Sequence, residues 1–196
     1  MRRLAAVVIL CGLAGLGTGC GSSPPSRFYT LSGTTASAAA ASSLSVAVGP
    51  VTIPAAVDRP QMVVSMGPNQ VELDEFNRWA APLGNNISRV VAVNLVALLG
   101  TPHVTLFPEM LSAGSDFRVA IEVQRFDSMP GEAAVLDAVW TVRRAKDGKA
   151  DTGRTTVREA VPEKSIDALV AAHSRAVARL SQDIAAAVQA LDRTAR

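Results

Sequence analysis

The chain is short of the residues that carry most protein chemistry. Of 196 residues, two are Cys and two are His, too few for the thiolate and imidazole sets that hold zinc. No Gly-x-Ser-x-Gly elbow, Walker loop, His-Glu-x-x-His or Cys-x-x-Cys occurs. Hydrolases, nucleotide binders and metalloproteases that rely on those motifs are therefore disfavoured. An excess of charge of one sign is also missing, with 19 Lys and Arg against 17 Asp and Glu. Such a chain has no basic footprint for nucleic acid. Nor is it a disordered acidic or basic tail, because 48% of its residues are hydrophobic. Its length suits one ordinary domain and is short for two. No metal, cofactor or catalytic constellation is expected.

What is present begins at the N-terminus. Arg2 and Arg3 precede an uncharged apolar run, Leu4 to Leu16. Its 13 residues fall short of the ~20 that a membrane-spanning helix needs. A charged start, a short apolar core and then small residues form the secretory leader pattern. Leu16-Gly17-Thr18-Gly19-Cys20 resembles the lipobox of bacterial lipoproteins, with Gly17 standing where that family usually has Leu. The resemblance implies a signal peptide over 1–19 that is removed, and a Cys20 that carries S-diacylglycerol and an N-acyl chain. Cys11 goes with the leader, so the mature chain has no disulfide. By the same resemblance, Gly21 after the Cys, where Asp would favour retention at the inner membrane, implies the outer membrane, with the domain facing the periplasm. Three acyl chains exceed the two signals that stable anchoring requires.

Residues 20–43 are rich in Ser, Pro and Ala and read as a flexible tether. Phe28, Tyr29 and Leu31 interrupt it with strand-like alternation and are expected to add a short edge strand or dock on the domain, with an exposed apolar spot as the rival. The globular pattern starts at Leu44 and runs to 196. Alternating stretches predict strands over 45–53, 61–66, 70–73, 104–107, 117–126, 133–144 and 152–161. The last three form a meander closed at Asp147-Gly148. Asn85 or Asn86 is the expected cap of a helix that stops at Gly100. Ser165 is the expected cap of a second, with Ile166, Val170, His173, Val177, Leu180, Ile184, Val188 and Leu191 in steps of three and four. That helix is expected to dock on the domain's own sheet, with coiled-coil pairing as the rival. The fold class is α+β, a mainly antiparallel sheet with two amphipathic helices packed on one face.

The remaining polar candidates favour structure over chemistry. His103 stands at a strand entry and His173 on a helix stripe; neither is expected to catalyse, and the helix-face His173 is expected to be a packed or interface residue. Glu72, Asp74 and Glu75 match no calcium-loop spacing and read as a solvated cluster.

Several stretches together resemble one family. They are Tyr29-Thr30-Leu31, Val48-Gly49-Pro50-Val51, Asp58-Arg59-Pro60-Gln61-Met62-Val63, Asn69-Gln70-Val71-Glu72-Leu73 and Phe76-Asn77-Arg78-Trp79-Ala80-Ala81-Pro82-Leu83. The family is the PqiC-like (paraquat-inducible) outer-membrane lipoproteins, the auxiliary component of ABC-type transport. Its more specific segments here contain Arg59, Pro60 and Gln61, and Arg78, Trp79, Pro82 and Leu83. The resemblance implies a role with MCE-family periplasmic proteins in intermembrane lipid transport, without catalysis, and in some members a ring of subunits. The same residues also have structural uses: Trp79 could fill the core, and Arg78 could pair with Glu75 or Asp74. Two other roles stay open, a lipid carrier with its own cavity and a tethered regulator of a cell-wall synthase.

Overall fold

A computed structural model describes residues 23–33, 40–109 and 112–194. The leader, Cys20 and the tether residues 34–39 lie outside the described residues.

The clearest alternation builds the largest part of the sheet. Strand β6 (Phe117–Met129) buries Phe117, Val119, Ile121 and Val123 and turns Arg118 and Glu122 outward. It pairs antiparallel with β7 (Ala133–Arg144), and β7 pairs antiparallel with β8 (Ala150–Ala160). The turn between β7 and β8 places Gly148 at φ 72°, a conformation that suits glycine. A hairpin of β3 (Gln61–Gly67) and β4 (Gln70–Trp79) joins β6 through Val64 opposite Ser128.

The other contacts are made by crossovers. Strand β2 (Val46–Thr52) runs parallel to both β6 and β5 (Val104–Leu106). Strand β1 (Arg27–Tyr29) lies parallel to β4. The sheet is thus mixed, with four of its seven strand pairings parallel, and the expectation of a mainly antiparallel sheet is corrected. The physical reason is that alternation marks a strand but not its neighbour. Short strands reached after long connections take parallel places that no local pattern announces.

Helix α1 (Leu83–Leu99) begins before either expected cap. Pro82 occupies the cap position with extended backbone, and its carbonyl accepts from Asn86 N at 3.0 Å. Asn86 is buried inside the first turns, where its Oδ1 accepts from Arg89. Gly100 closes the helix in the left-handed conformation, as a glycine stop should.

Helix α2 (Ile166–Arg193) is capped by Ser165, whose Oγ accepts from Ala168 N at 3.1 Å. Its apolar stripe packs on β6, β7 and β8 and against α1, while α1 covers β2 and β5. Intramolecular docking therefore occupies the face that a coiled coil would have used. One core joins sheet and helices through Phe117, Phe126, Leu180 and Ile184. Among the described residues no helix is long and apolar enough to cross a membrane.

The interrupting residues in the tether divide. Tyr29 packs on the core and Leu31 is buried in it, whereas Phe28 stays exposed. Ser32 N donates to Ser174 Oγ on α2 at 3.1 Å.

Candidate functional site

The C-terminal end of β4 is gripped from both sides. Trp79 N donates to the Pro60 carbonyl at 2.8 Å, and Ala80 N donates to the Tyr29 carbonyl at 2.8 Å. These bonds hold the chain from Trp79 to Pro82 beside the turn that leads into β3. Between them opens a cleft of about 280 Å³, lined by Asp58, Arg59, Pro60, Trp79, Ala80, Ala81 and Pro82. The two small alanines leave the space, and the two prolines stiffen its walls. Arg59 is exposed and makes no ion pair among the described residues, so a guanidinium stands available at an apolar opening.

Behind the cleft Trp79 is only 6% exposed. Its ring meets Phe126 edge-on, with centroids 6.1 Å apart. Phe126 stacks on His173 at 3.9 Å. This aromatic row connects the cleft wall to α2. His173 Nε2 lies 2.9 Å from Ser128 Oγ, and its Nδ1 has no partner. Burial disfavours the charged imidazolium and pushes the His173 pKa down to about 3. A neutral, sealed imidazole of this kind packs; it has no access to a substrate.

The structure thus brings Arg59, Pro60, Trp79 and Pro82 to one cleft. It sets Gln61 and Arg78 beside one another as a cross-strand pair, with both side chains directed to Glu75. Arg78 Nε donates to the Glu75 carbonyl at 2.9 Å, and its guanidinium lies 3.5 Å from the Glu75 carboxylate. Leu83 is buried in the core and offers no surface. Asp58 and the Ala80-Ala81 pair were not among the candidates. The signal for the two alanines was the small-residue gap between Trp79 and Pro82, and for Asp58 its place directly before Arg59-Pro60.

Two of the three acidic side chains, Asp74 and Glu75, are engaged by local structure, and Glu72 is exposed. Asp74 accepts from Phe76 N, Asn77 N and Asn77 Nδ2 and so shapes a bend in β4. Among the described residues no group of three or more His, Cys, Asp or Glu side chains gathers to hold a metal. His103 is exposed at the entry to β5.

The family model described as the ABC-type transport auxiliary lipoprotein component matches residues 29–185. No curated protein matches the chain. Among solved structures, the protein XCC0632 from Xanthomonas campestris is 17% identical, with a TM-score of 0.71, over 87% of this chain and 100% of that one. A second crystal structure, of an uncharacterized protein, is 19% identical, with a TM-score of 0.69, over 84% of this chain and 99% of the other. At such identities these two structures speak to the fold alone.

Proposed function

The chain belongs to the ABC-type transport auxiliary lipoprotein component family, and from that footing we propose that it is an outer-membrane lipoprotein, anchored through Cys20, that docks an MCE-family protein of an intermembrane lipid transport system. Its role is coupling rather than catalysis. The leader 1–19 is removed, Cys20 is acylated, and the folded domain faces the periplasm.

The cleft at the end of β4 is the observation that supports this reading. Its walls of Pro60, Trp79 and Pro82 suit an apolar side chain of a partner, and Arg59 beside them suits a partner's carboxylate or carbonyl. Its walls are backbone-clamped, so little ordering remains to be done on binding. A larger open groove, of about 710 Å³, is rimmed by Glu159, Asp167, Arg175, Arg179 and Gln182. Val170, Ala171 and Ala178 line it as well, but the groove is open and an acyl chain in it would lie against these charged and polar groups, so the carrier role gains no enclosed cavity from it.

The test is co-purification from detergent-solubilised envelopes. The wild-type chain is expected to bring down an MCE-family protein. Ala81→Trp, which fills the cleft, and Arg59→Glu, which reverses its rim charge, are each expected to cut that recovery at least about tenfold, roughly 1.4 kcal/mol. Equal recovery with both variants, or no MCE protein with the wild type, would count against the reading.

A further inference from the structure

Among the described residues, eight large apolar side chains stand exposed, and five of them lie at one end of the sheet. Phe28 is on β1, Met66 is on β3, and Val71, Leu73 and Phe76 are on β4. Phe28 is 65% exposed and Phe76 41%. Phe28 lies opposite Arg78, which puts it two residues along the register from Phe76 on the neighbouring strand. Five exposed apolar side chains on three adjoining strands are a concentration that calls for a covering surface.

The same strand limits how far this edge can be from the anchor. Six residues, Gly21 to Ser26, separate Cys20 from Arg27. Seven Cα steps reach at most about 25 Å. The bond from Ala80 N to Tyr29 and the burial of Leu31 prevent the chain beyond β1 from lengthening the lead.

We propose that the β1–β4 edge rests on the bilayer that holds Cys20, with Phe28 and Phe76 seated at the boundary between headgroups and acyl chains. This rests on the reading of Cys20 as acylated. A lipid surface is the occupant because the lead keeps the edge within about 25 Å of the bilayer at all times, so a membrane is the apolar surface it meets most often. Apolar contact holds the edge there. Glu72, Asp74 and Glu75 outnumber Arg27 and Arg78 on these strands, so the edge is no polybasic patch, and anionic lipid adds nothing.

The test uses the full chain made in a Gram-negative host and purified in detergent. Intact mass reports leader removal and acylation of Cys20. The protein is then reconstituted into phosphatidylcholine–phosphatidylethanolamine vesicles with brominated acyl chains. One variant carries a fluorophore at Glu72→Cys, beside the proposed contact, and another at Lys149→Cys, in the turn between β7 and β8. Quenching at 72 is expected to exceed quenching at 149 several-fold and to fall to the same level in Phe28→Ser/Phe76→Ser. Replacing a fifth of the lipid with phosphatidylglycerol should leave it unchanged. Equal quenching at the two sites in acylated protein overturns this proposal and leaves the anchor intact. A free Cys20 thiol in the mass overturns the anchor and this proposal together.

Discussion

Gly153 on β8 has no side chain because the Trp140 indole lies where one would go. A Cβ there would meet Trp140 Cζ2 at 2.2 Å and Cη2 at 2.5 Å. The indole cannot swing aside cheaply, since its Nε1 donates to Thr155 Oγ1 at 3.0 Å and Thr155 Oγ1 donates to Asp183 on α2 at 2.7 Å. Gly153→Ala is therefore expected to lower stability by about 1–3 kcal/mol, the usual range for overpacking. A denaturant midpoint followed by tryptophan fluorescence would read it. His173 makes the second residue-scale prediction. Its pKa is near 3 in the fold and near 6.5 once exposed. The unfolded chain thus takes up a proton that the folded chain refuses, so stability is full above about pH 6.5 and falls as pH drops toward 3. Between pH 7.5 and 5 the expected loss from this group is about 2 kcal/mol. His173→Phe keeps an aromatic ring for Phe126 and should flatten that slope. Chemical denaturation at the two pH values decides it, and an unchanged slope in the variant would show that another group titrates.

At the scale of elements, α1 and α2 meet through polar side chains as well as apolar ones. Asn94 Nδ2 donates to Ser181 Oγ at 3.1 Å, and Ser181 Oγ donates to the Val177 carbonyl at 2.8 Å. Both residues are buried. Ser181→Ala leaves the Asn94 amide without its acceptor and should cost about 1–3 kcal/mol. Adding Asn94→Leu removes the stranded amide, so the double variant is expected to regain much of that loss. A thermodynamic cycle measures the coupling, and simple additivity would refute it. This contact also shows where sequence reading stops. The stripe of α2 was legible because its period is local, and so was the meander of β6 to β8. Ser174 and Ser181 were not legible as core residues, since a buried hydroxyl announces itself only through its partner on another element. The cap of α1 was missed because Asn85 and Asn86 carry the usual capping side chains, whereas Pro82 caps with its backbone alone. The cleft was half legible: Trp79 and Pro82 are close in sequence, but Pro60 reaches them only through the pairing of β3 with β4.

For the molecule as a whole, the short segment from Arg27 to Ser32 determines how the domain is attached to whatever lies upstream. Three backbone pairs with β4 are too few to hold it, because each ordered residue costs about 1–2 kcal/mol of backbone entropy. Leu31, 1% exposed, supplies the missing term by filling a place in the main core. Ser32 adds a bond to α2. Leu31→Ala is expected to remove about 2–5 kcal/mol from this latch. The consequence should be local before it is global, since β1 is an edge strand and the rest of the sheet can persist without it. In the wild type, trypsin should cut slowly after Arg27, and the amides of Ser32 and Ala80 should exchange slowly. In Leu31→Ala both should speed up by tenfold or more, while amides within α2 from Val177 to Ile184 keep their rates. If the α2 amides speed up equally, the segment is part of the cooperative core. The lead from Cys20 would then be fixed by the stability of the whole domain rather than by one side chain.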